Sequence, residues 1–190
     1  DVNPLSLLLM MSRLGPPSLE AAALRLDATR CTEGLMGQPD RLAFYSPRTL
    51  AHICALRRWL MEQAPLDRVP DPIDDWIRMV AVNRLTGHSP GFFSVYTLPP
   101  NQAVSAKSQR KINERQGRTP PDRDVKRLIV RKTASLLSDG PMASHPDPVL
   151  TIGGAHATSA IATSSVRLVV TSPPFLDIVQ YAEDNWLRTW

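Results

Sequence analysis

Apolar positions recur every three to four residues through most of the chain up to Asp139, the spacing of helices that bury one face. Asn3 followed by Pro4 reads as a cap with proline at the first helical position, opening a helix that runs to Leu14 and ends at Gly15-Pro16-Pro17. Ser18 caps a second helix extending toward Arg30, and the Gly- and Pro-containing stretch 34–40 breaks it. Ser46-Pro47 repeats the signal ahead of Leu50, Ile53, Cys54, Leu60 and Met61, and Pro65 ends that segment. Asp71-Pro72 starts a fourth helix through Trp76, Met79, Val80 and Val82, closed at Gly87. Residues 92–98 are aromatic and β-branched between Pro90-Gly91 and Pro99-Pro100, which predicts an extended segment packed on the helices. Two further helices flank 117–121, the second placing Val125, Leu128, Ile129, Leu136 and Leu137 on one side.

Beyond Asp139 the periodicity is lost. Residues 140–148 are rich in Pro, Gly and Ser and read as a linker, and 148–152 predicts a short strand ending in Gly153-Gly154. The apolar run 166–170 is of the kind buried in a parallel sheet. A loop follows it, and then a helix from about Asp177 to the end, so this part reads as a strand–loop–helix unit.

Composition narrows the class. The 190 residues fit one domain, or one domain with a large insertion, and 18 prolines spread among periodic segments punctuate helices without forming a low-complexity tract. Two cysteines, Cys31 and Cys54, without C-x-x-C spacing exclude a disulfide scaffold and a zinc ribbon and suit a reducing, cytoplasmic setting. The longest aliphatic run, from Leu5 to Met11, is too short to span a bilayer, so no membrane partner is expected. His52, His88, His145 and His156 show no metal-ligand spacing, and no metal is expected. Charge is unevenly placed: between Lys107 and Lys132 stand ten basic and three acidic residues, in a chain whose net charge is only +4. Such a block is either a solvated helix face or the footprint of phosphate contacts.

The candidate chemistry lies at the end of the predicted strand, in Thr171-Ser172-Pro173-Pro174-Phe175. Loops at the carboxyl ends of parallel strands hold ligands in open α/β sheets. Consecutive prolines fix φ and donate no backbone hydrogen bond, leaving the Ser172 and Pro173 carbonyls and the Ser172 hydroxyl as acceptors beside the flat face of Phe175. Acceptors next to an aromatic face suit a planar ring with an exocyclic amine.

Val169-Val170-Thr171-Ser172-Pro173-Pro174-Phe175, with Tyr181 and Trp186-Leu187-Arg188 after it, resembles the catalytic motif of the S-adenosylmethionine-dependent DNA amino-methyltransferases over about 25 residues. Asp1-Val2-Asn3-Pro4 is similar to the segment ending the second strand in that family. The resemblance implies an α/β fold in three parts: a partial Rossmann-like methyltransferase core at 1–15 and 147–190, interrupted by a large, mainly helical insertion at 16–146 that carries target recognition. It implies Ser172, Pro173, Pro174 and Phe175 as catalytic residues, Asp1, Asn3, Gly154 and Thr171 around the cofactor, and Tyr181 at the substrate. Two positions depart from the family pattern: Gly154 stands where an acid is usual, and Arg167 where an Asp commonly precedes the catalytic strand. The glycine-rich cofactor loop is not among these residues, so the chain reads as a fragment expected to be inactive by itself.

The function so implied is transfer of a methyl group from S-adenosylmethionine to the exocyclic amine of a flipped cytosine or adenine in double-stranded DNA, in the manner of restriction–modification enzymes. Ser at the first loop position leans toward cytosine. Lys107, Arg110, Lys111, Arg115, Arg118, Arg123, Lys126 and Arg127 are the candidate DNA contacts. The alternatives are a non-catalytic helical module that binds DNA or a partner, and an amine methyltransferase acting on RNA or protein.

Overall fold

The computed structural model describes residues 4–29, 39–63, 65, 71–95, 97, 104–140, 148–156, 158–171 and 186–189. Among these the regular elements are all helical: α1 (Pro4–Leu14), α2 (Leu19–Ala28), a 3-10 helix (Pro39–Ala43), α3 (Pro47–Gln63), α4 (Pro72–Val82), α5 (Ala106–Arg115), α6 (Val125–Leu136) and the short α7 (Trp186–Thr189). Most starts are set by the chemistry of the cap. The Ser18 side chain accepts from the Ala21 N–H, Asp71 from Ile73 and Asp74, Ser105 from Ser108 and Asp124 from Arg127.

Helix α4 is the centre of the packing. It meets α1, α2 and α6, and every residue from Asp74 to Val80 is buried. A helix enclosed on all sides must pair its charges or leave them unsolvated. Arg25 of α2 accordingly donates to Asp74 at 2.7 Å and to Asp71 at 3.3 Å. Arg78 bonds Asp75 at 3.2 Å and the Leu60 carbonyl at 3.0 Å, and the Trp76 indole N–H reaches the Thr133 hydroxyl at 3.0 Å. Phe44, Tyr45, Leu50, Ile77, Met79, Phe93 and Ile129 complete the core around it.

The segment 92–97 is held by separate bonds to the helical body, without a ladder among its described residues. Phe93 N–H donates to the Arg84 carbonyl at 2.8 Å, Val95 N–H to Phe44 at 2.7 Å and Thr97 N–H to Gly87 at 3.2 Å. Helix α4 ends at Val82, earlier than the predicted closure at Gly87, with Asn83 capping it through a bond from its side-chain amide to the Met79 carbonyl.

The expected α/β fold with a Rossmann-like core is overturned, because the described residues contain no strand and no sheet. Residues 148–152 and 166–170, predicted as strands, are irregular and mostly exposed; Val169 and Val170 are 75% and 86% exposed. A parallel strand needs hydrogen-bonded neighbours and cover on both faces, and the described helices supply neither, since they pack on one another. Short apolar runs do not distinguish a buried strand from an irregular segment. Helix α1, which the resemblance grouped with the sheet, packs on α4 instead. No helix among the described residues is long and apolar enough to cross a membrane.

Candidate nucleic-acid interface

Helix α5 is amphipathic with an inverted emphasis: its inward face is polar and its outward face cationic. Ala106, Gln109 and Asn113 are buried, Gln109 donating to Asn113 at 2.9 Å and Asn113 donating to the Ala43 carbonyl at 2.8 Å, which ties the helix to the 3-10 element. Residues three or four apart share a helix face, so Lys107, Lys111 and Arg115 form a stripe opposite those buried positions. All three are exposed, and none takes part in an ion pair or side-chain hydrogen bond among the described residues. Arg110 lies at the border of this stripe and pairs with Asp40 at 2.6 Å, with both side chains largely in solvent. Arg118 is exposed just past Gly117, whose φ of 57° turns the chain out of the helix, and its N–H returns to the Asn113 carbonyl at 2.9 Å.

The second half of the basic block is built differently. Arg127 is exposed on α6, but Lys126 folds back to the end of α2, its ammonium donating to the Thr29 carbonyl at 2.7 Å. A cation at a helix C-terminus satisfies carbonyls left without intrahelical partners. Lys126 is therefore a capping group as well as a surface charge. Arg123 is half-buried; its backbone N–H donates to the Thr49 hydroxyl at 2.8 Å, and its Nε is buried without a hydrogen-bond partner.

Arg123 and Lys126 line a pocket of about 330 Å³ between the starts of α3 and α6, together with Arg48, His52, Asp122 and Asp124. Ser46 anchors one of its lining residues. The Ser46 hydroxyl donates to Asp122 at 2.5 Å and accepts from the Thr49 N–H at 3.1 Å. Arg48 and His52 were not among the sequence-based candidates. The available signal was Ser46-Pro47-Arg48, a cation in the first turn of a helix, where the macrodipole favours an anion.

Asp1, Asn3, Ser172, Pro173, Pro174, Phe175 and Tyr181 lie outside the described residues. Thr171 is exposed at the end of the irregular stretch. Gly154 is half-buried, and a Cβ there would meet the His156 ring at 2.6 Å. These two described members of the expected cofactor set sit on no strand end. In comparisons with known proteins, the chain matches no family model, no curated protein and no solved structure.

Proposed function

We propose that this chain is a DNA-contacting part of an amino-methyltransferase, with helix α5 set against the sugar-phosphate backbone and Ser172-Pro173-Pro174-Phe175 offered to a flipped base. The observation that carries DNA contact is the stripe of Lys107, Lys111 and Arg115, none of which makes an ion pair among the described residues, and which outnumbers Glu114, the one carboxylate of the helix. Free ammonium and guanidinium groups at this spacing release counterions from a duplex without reading its sequence. The motif supports the chemistry. A Ser172 hydroxyl and a Pro173 carbonyl accepting from an exocyclic amine hold its nitrogen in a fixed orientation, and Phe175 stacks on the ring. S-adenosylmethionine is the methyl donor that the motif implies.

The all-helical make-up of the described residues favours a second reading, a helical DNA-binding module without methyl transfer. Two measurements separate them. Fluorescence anisotropy with a labelled duplex over a salt series should give a steep salt dependence. Replacing Lys107, Lys111 and Arg115 with Ala should flatten its logarithmic slope by about 2 to 3; an unchanged slope removes α5 from the interface. With the chain joined to a glycine-rich segment that binds S-adenosylmethionine, methylation of duplex DNA should fall at least about a hundredfold in Ser172→Ala. If that joined protein binds both duplex and cofactor but transfers no methyl group, the second reading stands.

A further inference from the structure

We infer that the pocket between the starts of α3 and α6 is a binding site for a phosphate oxyanion, with Arg48 and Arg123 as its principal donors. Its volume of about 330 Å³ accommodates a phosphoryl group with part of its substituent. The two guanidiniums differ in setting: Arg48 stands in solvent, whereas Arg123 is half-buried, and both line the pocket beside Lys126. Charged donors converging on one pocket suit an oxyanion, which accepts from several of them at once.

The surrounding charges reinforce this. Arg48 and Lys126 occupy the first turns of α3 and α6; α3 carries no acid there, and α6 carries only its cap, Asp124. Cations placed at helix starts add to the positive end of the macrodipole where side chains of the opposite sign are favoured. Three cations in the lining, Arg48, Arg123 and Lys126, stand against two carboxylates, Asp122 and Asp124, whose oxygens are turned to donors of the protein. Asp122 accepts from the Ser46 hydroxyl, and Asp124 accepts from the Arg127 N–H at 2.9 Å. Lys126 keeps donors beyond the one given to Thr29, since an ammonium has three. The same bonds hold both walls together before any ligand arrives, because Ser46 and Thr49 of the α3 start grip Asp122 and the Arg123 backbone. The site goes beyond the DNA-contact reading and stands without it, since it lies on different helix ends from the α5 stripe.

The test is a titration followed by nuclear magnetic resonance. Inorganic phosphate added to the isotopically labelled chain should shift the Arg123 Nε–H and the Thr49 amide saturably, and sodium chloride at equal ionic strength should not. Arg48→Gln, a change at an exposed position, should weaken phosphate binding about tenfold without altering the thermal midpoint. A short duplex that displaces the bound phosphate identifies a DNA phosphodiester as the natural source, and a duplex that leaves it in place identifies a free phosphate compound. Shifts that are linear in both salts alike, or equal affinity in Arg48→Gln, overturn the proposal. Loss of duplex binding on altering α5 while phosphate still binds here would leave this site intact and the two readings distinct.

Discussion

Gly87 shows how a single atom can set a loop. The Phe92 ring lies against it, so that a Cβ at residue 87 would come within 2.4 Å of ring carbons, closer than packing permits. The guanidinium of Arg84 covers the ring at 4.1 Å from its centroid, and His88 stacks nearby at 6.5 Å. Gly87→Ala should therefore displace Phe92 and lower stability by about 1 to 3 kcal/mol, read from the urea unfolding midpoint. An alanine variant as stable as the parent would show that the ring is not held there. Tyr45, close by in the core, has its phenol pushed far above the ordinary value by burial, against the opposing charge of Arg41. It stays neutral and donates to the Leu85 carbonyl at 2.9 Å. Nothing in the isolated sequence marks Gly87 as a packing position, since its neighbours Thr86 and His88 read as a helix end.

At the scale of the element, the start of α4 joins a cap to an ion pair. Burial alone would raise the Asp71 carboxyl, but the N–H groups of Asp74 and Ile73 and the charge of Arg25 outweigh it and hold the group below the usual carboxylate range. Arg25 is raised in turn: the charges of Asp74 and Asp71 overcome its desolvation. A depressed carboxyl contributes stability that is complete above its unfolded value and disappears as pH falls through the folded one. Asp71→Asn keeps a capping oxygen and removes the charge. Its stability deficit, at most about 1 kcal/mol at neutral pH for a partly exposed pair, should shrink toward zero as the solution is acidified below the ordinary carboxylate range. A deficit that grows in acid would contradict this. The helix starts were legible because Ser18, Ser46, Asp71 and their neighbouring prolines are local signals, needing nothing from distant parts of the chain. The full burial of α4 was not, because Asp74, Asp75 and Arg78 read as a polar face until Arg25 and the Leu60 carbonyl are brought to them by the fold.

For the molecule as a whole, the helical body was legible and the sheet was not. Helices carry their hydrogen bonds internally, so a periodic segment with a cap is nearly sufficient. Strands depend on partners elsewhere, and the apolar run at 166–170 met none among the described residues. Within the candidate interface, the sequence displayed the density of charge but not its division of labour. Lys107, Lys111 and Arg115 face solvent, whereas Lys126 secures the end of α2 and lines a pocket with Arg123, to which Arg48 comes from 75 residues before Arg123 in the chain.

That exposed run carries a consequence for handling the protein. Leu168, Val169 and Val170 are β-prone side chains presented to water, and the apolar stretch Leu168–Val170 is bordered by a single charge, Arg167. Bare segments of this composition are templates for intermolecular cross-β pairing. Concentrated samples should thus cloud or bind thioflavin with a lag, and Val169→Lys, a gatekeeper charge at the middle of the run, should lengthen that lag while leaving helical circular dichroism unaltered.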